Sequence, residues 1–304
     1  MASTDTAAGA APGAAPGAAL GERALRPDDA PALLALSAEA GWNQTAADWR
    51  FMLEVGRGIG VPDGEGGWAA SALAFPLGAE LCWISMVLTA RRWRRQGLGT
   101  RLLRRAIALA RAPAPSGIAA AGLDATELGR PIYAALGFRE LYALKRWRLD
   151  AMPAPDAPPE GVVLRAIRPH DLASLTAFDS ERSGIERRHV LAHLLARAPA
   201  LACIAEADGR ILGYAMGRDG RFATQIGPVV AASEPIAVAL TSAAARGARP
   251  PLLLDVPDMH AAMAAWLARA GGTTPRGFFR MVLGEAPGLA DARAIFALAG
   301  PELA

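Results

Sequence analysis

The run WRRQGLGT at residues 93–100 combines residue types that proteins use to bind a phosphate group. Its glycines, Gly97 and Gly99, allow an anion to approach the backbone closely, and Arg94 and Arg95 add positive charge. If a helix begins here, its first amide groups lack an internal partner and carry partial positive charge. The run then predicts a turn that holds a pyrophosphate.

A nucleic-acid surface and a solvated helix face are two other interpretations of these arginines. The segments ARRWRRQ and RLLRR would suit phosphate contacts with stacking on a tryptophan. However, the 304-residue chain has a net charge of only +3, and its pI of 9.3 reflects a small arginine excess. The run also lacks the lysine of a Walker loop and the spacing of G-x-G-x-x-G. We therefore expect no nucleic-acid partner.

The segments on either side of the run predict a strand and a helix. LCWISMVLT, residues 81–89, is rich in bulky apolar side chains, which is typical of a strand. After Gly97, apolar residues recur at helical spacing and the arginines lie largely on the opposite face. The apolar face comprises Leu102, Leu103, Ala106, Ile107 and Ala110. The order strand, turn, helix therefore favours a phosphate-binding turn.

The sequence repeats itself on either side of DAMPAPDAPPEG, residues 150–161, whose composition is typical of a linker. RALRPDDAPAL at 23–33 returns as RAIRPHDLASL at 165–175. GLDATELGRPIYAALGF at 122–138 has its counterpart in LLDVPDMHAAMAAWLARAGG at 253–272. Similarity of this length indicates a duplicated domain.

These patterns predict the following organisation: a disordered Ala/Gly/Pro-rich segment at 1–20, domains at 21–150 and 161–285, a linker at 151–160 and a C-terminal tail at 286–304. The predicted helices are 28–38, 46–54, 98–111, 128–136, 170–179, 186–197, 234–246 and 258–269. The predicted strands are 57–61, 67–74, 80–89, 117–123, 140–149, 162–167, 200–206, 210–217, 222–230, 251–255 and 277–283, with a further short strand before Pro27. Because strands and helices alternate only in part, we predict an α/β fold of mixed α+β type. Each domain would be a mixed, mostly antiparallel sheet with helices on both faces.

The turn matches R-x-x-G-x-G, with Arg94, Gly97 and Gly99 at the fixed positions, and so resembles the acyl-CoA signature of the GNAT superfamily of N-acyltransferases. PIYAALGF at 131–138 resembles the later tyrosine motif of that family. The resemblance spans essentially residues 21–150. It implies that this half binds acetyl-CoA as a co-substrate.

The second half resembles a degenerate GNAT repeat. Its equivalent segment, IGPVVAASEPIAVAL at 226–240, contains no R-x-x-G-x-G. Glu234 near the predicted helix start would repel a pyrophosphate. The resemblance therefore implies a tandem GNAT arrangement in which one acetyl-CoA binds, in the first half.

The resemblance also implies roles for individual residues. Pantetheine would lie in a gap beside the strand that precedes the turn, and a strand N–H near Val87 would polarise the thioester carbonyl. The implied cofactor-binding residues are Val87, Leu88, Thr89, Arg94, Arg95, Gln96, Gly97, Leu98, Gly99 and Thr100. Tyr133 takes the position of a general acid that returns a proton to the CoA thiolate. The alternative is that Tyr133 packs, with its hydroxyl at the surface.

The residue that accepts the amine's proton stays open at this point. Some relatives have a strand glutamate where this sequence has Trp83, and Glu80 lies nearby. A water chain to backbone carbonyls, or an amine that arrives neutral, would serve equally. In GWNQTAADW at 41–49, Trp42 and Asn43 are candidate substrate-binding residues, with helix capping the alternative for Asn43. Polar residues of the second half are further candidates for reaching the acceptor: Asp179, Arg187, Arg218, Gln225 and Asp255.

We predict a cytoplasmic N-acetyltransferase that moves an acetyl group from acetyl-CoA to the amine of a small molecule or a protein, by direct attack. The alternative is a non-catalytic acyl-CoA sensor or scaffold. Cys82 and Cys203 indicate buried core residues in a reducing compartment. His189 and His193 lack the glutamate of a metalloprotease pattern, so we expect no metal. No apolar run reaches membrane-spanning length, so we expect no membrane partner, and either a monomer or a homodimer.

Overall fold

The computed structural model describes residues 21–111 and 120–304. The predicted disordered segment 1–20 and the beginning of the predicted strand 117–123 lie outside the described residues.

The first half contains six strands and four helices within the described residues, close to the predicted positions. Its strands are β1 (Arg23–Leu25), β2 (Arg57–Pro62), β3 (Trp68–Leu77), β4 (Leu81–Thr89), β5 (Ala120–Thr126) and β6 (Arg139–Leu149). Its helices are α1 (Ala30–Glu39), α2 (Ala46–Val55), α3 (Leu98–Arg111) and α4 (Arg130–Ala134). The strand, turn and helix around residues 93–100 are therefore present as predicted.

The second half repeats this order and adds one strand. Its strands are β7 (Val163–Ala166), β8 (Cys203–Ala207), β9 (Arg210–Arg218), β10 (Thr224–Ala231), β11 (Leu252–Pro257), β12 (Thr273–Gly284) and β13 (Ile295–Ala297). Its helices are α5 (Leu172–Ser183), α6 (Arg188–Arg197), α7 (Glu234–Ala245) and α8 (Ala261–Arg269). Sequence reasoning missed β13, which lies in the predicted tail.

The two halves share one sheet by exchanging a strand. The sheet order is β1-β2-β3-β4-β5-β12-β6-β11-β10-β9-β8-β7, with β13 pairing to β10. The last long strand of each half therefore lies beside the other half: β12 pairs with β5, and β6 pairs with β11. Most pairs are antiparallel; β4–β5 and β10–β11 are parallel. The mixed, mostly antiparallel sheet confirms the predicted fold class.

The sequence repeat RALRPDD/RAIRPHD forms the same hydrogen bonds in both halves. Asp29 accepts a bond from the amide of Arg26 at 2.8 Å and one from the Arg23 guanidinium at 2.8 Å. In the second half, Asp171 accepts from the amide of Arg168 and from the Arg165 guanidinium, both at 2.7 Å. The acidic residue thus fixes the chain where it leaves the first strand and enters the first long helix of each half.

Two buried ion pairs fasten the exchanged strands. Arg280 of β12 donates to both carboxylate oxygens of Asp124 on β5, at 2.9 and 2.8 Å. Arg146 of β6 donates in the same way to Asp255 on β11, at 2.8 and 2.7 Å. Each pair spans directly opposed positions of neighbouring strands. The two repeated segments each contain Leu-Asp, and the aspartates Asp124 and Asp255 therefore anchor equivalent strands in the two halves.

Residues 286–304 include a short strand and become largely buried from residue 295 onward. Ile295–Ala297 pair with Val229 and Val230 of β10. Further along, the indole N–H of Trp83 on β4 donates to the carbonyl oxygen of Pro301 at 2.8 Å. This terminal segment (residues 295–304) therefore runs from the sheet of the second half to β4 of the first half.

Candidate active site

A cavity of about 830 Å³ lies beside the glycine turn of the first half. Its wall includes the turn itself, residues 84–89 of β4, the end of β5, Tyr133 and Trp42. The second half contributes residues 275–278 of β12 and, from the terminal segment, Pro301 and Glu302. The cavity is thus built by both halves, and each half contributes ionisable side chains to its wall.

The turn is shaped to present amide groups. Arg95 and Gly97 both adopt the left-handed conformation, with φ of 64° and 74°. The amide of Arg101 makes the first hydrogen bond of α3, to the carbonyl of Gly97 at 3.0 Å. The preceding amides of Leu98, Gly99 and Thr100 therefore have no acceptor within the helix. A side chain at Gly97 would meet no atom within 4 Å, so the glycine leaves open space beside these amides.

The arginines around the turn fall into two groups. Arg91 pairs with Glu39, and Arg92 pairs with Asp63 and Glu65 at 2.7 Å each. Arg101 and Arg105 on α3 pair with Glu22. Within the described residues Arg94 and Arg95 make no ion pair, and both line the cavity. Their charge therefore remains for a ligand, whereas most of the basic run is neutralised by acids of the chain itself.

Strands β4 and β5 separate beside the turn. They pair only from Leu81 to Trp83, after which residues 84–89 of β4 and Leu123, Asp124 and Thr126 of β5 line the cavity. A β-bulge in β4 accompanies the separation, because the register with β3 shifts there and Met86 has a φ of 52°. The hydroxyl of Ser71 donates to the carbonyl of Met86 at 2.8 Å and holds the bulge in place. Val87, Leu88 and Thr89 accordingly line the gap.

Tyr133 on α4 lines the same cavity and packs edge-on against Phe138, with the ring centroids 6.0 Å apart. Burial raises the pKa of its hydroxyl to about 12. The group is therefore protonated at neutral pH and can donate a proton, but it is a poor base.

The two candidate acceptor residues differ in position. Trp42 lines the cavity. Asn43 is buried away from it: its Nδ2 donates to the carbonyl of Ala223 at 3.0 Å, and its Oδ1 accepts from the amides of Phe222 and Ala223 at 3.2 Å. Asn43 therefore binds a loop of the second half and is not part of the cavity wall. Gln96 is exposed in the turn and is not among the lining residues.

The second-half polar residues considered from the sequence lie in buried networks behind the cavity. Arg187 bonds to Asp179, which also accepts from the Tyr214 hydroxyl. Gln225 donates to Asp255 at 3.1 Å. Arg218 lies 3.1 Å from Asp48 and bonds to Glu302. None of the five lines the cavity, although Arg218 and Asp255 bond to the lining residues Glu302 and Arg146.

Glu302 is a cavity residue that sequence reasoning missed. The earlier candidates for a base lie elsewhere: Glu80 is exposed at the start of β4, and Trp83 is fully buried. Glu302 lies in the alanine-rich stretch IFALAGPELA, which carries no motif. Its closeness to β4 follows from the Trp83–Pro301 hydrogen bond, which no local sequence signal predicts. Gln44 is a second missed lining residue, next to Trp42.

The remaining reactive residues are occupied by packing. Both cysteines are free, and burial raises the pKa of each thiol to about 12, which argues against Cys82 as a nucleophile. His193 stacks on Phe51 with centroids 3.8 Å apart, and burial lowers its pKa to about 4. In the described parts of the chain, no group of three His, Cys, Asp or Glu side chains is arranged to hold a metal ion.

Across residues 21–111 and 120–304, no helix has both the length and the apolarity needed to cross a membrane.

Comparison with known families identifies both halves. Residues 41–138 match the Acetyltransferase (GNAT) family, and residues 175–297 match an Acetyltransferase (GNAT) domain. Together the two matches cover more than two thirds of the chain. The chain belongs to the GNAT superfamily. It is a tandem GNAT protein and, by family, an acyltransferase.

One sequence relative and two solved structures illustrate what this chain is similar to. An uncharacterized N-acetyltransferase of Bacillus subtilis, YitH, is 24% identical over 240 residues, covering 79% of this chain and 83% of that protein. A putative acetyltransferase from Pyrococcus horikoshii superimposes with a TM-score of 0.73 at 20% identity, over 93% of this chain and 95% of the other. A tandem GNAT protein from the clavulanic acid biosynthesis pathway has a TM-score of 0.62 at 17% identity, covering 87% and 98%.

The second GNAT half lacks an open gap at the equivalent place. Strands β10 and β11 also separate early, pairing only at Thr224 and Gln225, and β10 also has a bulge, at Gly227. Here the terminal segment fills the gap: β13 pairs with β10, and the amide of Leu298 donates to the carbonyl of Asp255 at 2.9 Å. A Cβ atom on Gly227 would lie 1.9 Å from the carbonyl oxygen of Leu298, which shows how closely the segment packs.

Proposed function

We propose that this tandem GNAT protein transfers an acetyl group from acetyl-CoA to an amine, with acetyl-CoA held by the first half. The observation that carries the proposal is that one cavity joins the glycine turn, the gap between β4 and β5, and Tyr133. The amine attacks the thioester directly, so the rate comes mainly from positioning and from stabilising the oxyanion.

Each part of the cavity suits one part of acetyl-CoA. The pyrophosphate contacts the backbone of Arg95–Thr100, with the free charge of Arg94 and Arg95 beside it. Pantetheine follows the exposed edge of Val87–Thr89, and an amide of the bulged strand near Val87 polarises the thioester carbonyl. The protonated Tyr133 hydroxyl gives its proton to the departing thiolate. Trp42 lines the acceptor end.

Two measurements test this function. Calorimetric titration with CoA reports binding, and release of free thiol from acetyl-CoA reports turnover with a panel of spermidine, lysine, kanamycin and simple primary alkylamines. We expect CoA binding and amine-dependent thiol release. CoA binding without turnover on any amine of the panel would instead support an acyl-CoA sensor.

The free cysteines fit a reducing compartment. The cytoplasmic location and the monomeric or dimeric state of the protein stay predictions.

A further inference from the structure

The terminal segment brings a carboxylate with one unpaired oxygen into the cavity wall. The side chain of Glu302 is 3% exposed. Its Oε1 accepts a hydrogen bond from Nη2 of Arg218, whereas its Oε2 is buried and has no partner among the described residues. A buried acceptor without a partner is unfavourable, so in folded proteins it usually has a function or a bound partner.

The position of this carboxylate is fixed from both sides. The residue that precedes it in the chain, Pro301, is held against β4 by the Trp83 indole, at the point where β4 and β5 separate. Behind it, Arg218 lies between Glu302 and Asp48 and holds one oxygen in place. Glu302 therefore has a fixed place in the wall of the cavity that also contains the β4 bulge and Tyr133.

Burial sets the acid–base character of Glu302. The charged groups that face it are Arg218 on β9, Asp48 on α2 and Arg146 on β6. Burial raises the pKa of its carboxyl; Arg218 and Arg146 oppose the rise, and Asp48 adds to it. A carboxylate with a raised pKa accepts protons more readily at neutral pH than an exposed one.

We propose that Glu302, carried by the second half, is the general base that deprotonates the acceptor in the first half's active site. This role rests on the proposed function. It also specifies the acceptor: a primary amine that arrives as a cationic ammonium and donates a hydrogen bond to Oε2 of Glu302. In this arrangement the second half supplies a catalytic group across the domain interface.

The protons and bonds balance in this scheme. Glu302 takes one proton from the ammonium, and the neutral nitrogen forms the C–N bond to the thioester carbon. Collapse of the tetrahedral intermediate breaks the C–S bond, and the thiolate takes the Tyr133 proton. The proton that Glu302 accepted passes to solvent. The nitrogen loses a second proton when the amide forms, and this proton restores the Tyr133 hydroxyl. The products are the amide, free CoA and one proton.

The test compares Glu302→Gln with wild type, because glutamine keeps the shape and an oxygen for Arg218. Glu285→Gln, at an exposed residue outside the cavity wall, is the matched control. The acceptors are spermidine, lysine, kanamycin, and ethylamine with its mono-, di- and trifluoro derivatives, whose ammonium pKa falls along the series. Thiol release gives kcat/KM for each amine as a function of pH, and calorimetry gives the Kd for CoA.

For Glu302→Gln we expect kcat/KM for a strongly basic amine to fall between about 10²- and 10⁴-fold, with an unchanged Kd for CoA. The loss should shrink as the acceptor becomes less basic, since a neutral amine needs less help from a base. The control should match wild type. If Glu302→Gln is poorly folded by thermal melting, Glu302→Ala assayed with added formate replaces it, and partial rescue by formate is the expected result.

Three results would overturn parts of this account. Wild-type rates in Glu302→Gln, or no formate rescue of a folded Glu302→Ala, would exclude Glu302 as the base. An equal loss for all amines together with weaker CoA binding would assign Glu302 a structural role only. Wild-type protein that binds CoA but releases no thiol with any amine would instead contradict the proposed function itself.

Discussion

At the scale of single residues, the proposed mechanism depends on the protonation of Tyr133. Its hydroxyl has a pKa raised to about 12 by burial, so it holds its proton throughout the neutral range. It also lines the cavity, where the thiolate of CoA would leave. A partly buried, protonated phenol in this position is suited to protonate a leaving group.

Tyr133→Phe removes only that hydroxyl, so we expect kcat to fall about 10²-fold or more while CoA affinity is retained. Thiol-release kinetics and calorimetry measure the two quantities. Tyr142→Phe is the matched control, because Tyr142 is also partly buried and lies outside the cavity wall. Equal rates for Tyr133→Phe and wild type would remove Tyr133 from the mechanism.

At the scale of elements, the turn between β4 and α3 separates free from neutralised arginines. Arg94→Ala/Arg95→Ala removes the two that have no carboxylate partner, and we expect CoA to bind at least about tenfold more weakly. Arg91→Ala/Arg92→Ala removes two arginines of the same run that already pair with acids. The control should change the Kd for CoA less than about twofold by calorimetry. Equal effects of the two double variants would contradict a specific phosphate site.

The strand exchange depends on two buried ion pairs, and each should behave as a unit. Arg280 and Asp124 are both fully buried, so Arg280→Met leaves an unpaired buried carboxylate. We expect this variant to lose about 3–5 kcal/mol of stability in denaturant unfolding. Adding Asp124→Leu should restore part of the loss. The exposed pair Arg293–Asp291 is the control, and Arg293→Met should leave the unfolding midpoint close to that of wild type. Similar losses for the two single variants would contradict the role of burial.

At the scale of the whole molecule, the two halves have the same element order but differ at the equivalent gaps in their sheets. The gap of the first half is open and lies beside the glycine turn. The corresponding gap of the second half is filled by β13, and Glu234 at its helix start already accepts a bond from the amide of Met263. The same terminal segment then delivers Glu302 to the first half's cavity.

The filled gap predicts one CoA site per chain. Calorimetric titration should give a stoichiometry of one CoA per chain. The reason is steric, because the backbone of Leu298 occupies the space beside Gly227. Two equivalents of CoA bound per chain would show that the terminal segment can leave the second gap.

The sequence predicts local features well and long-range ones poorly. Strand β4, the glycine turn and α3 are adjacent in the chain, so periodicity and turn residues identify them together. The exchange of β6 and β12 cannot be predicted in this way. In a duplicated fold each of these strands could pair with its own half or with the other half, and the local sequence pattern does not distinguish the two pairings. Asn43 shows the same limit: its amide bonds to residues about 180 positions away. Glu302 reaches the site through a contact of similar range, between Trp83 and Pro301.

The most direct test of the central claim is a crystal structure of the protein with CoA. We predict one CoA in the first half. Its pyrophosphate should lie against the amides of residues 95–100, its pantetheine should follow Val87–Thr89, and its sulfur should lie near Tyr133. Residues 295–298 should still fill the gap of the second half. A pyrophosphate bound away from residues 95–100 would contradict the account.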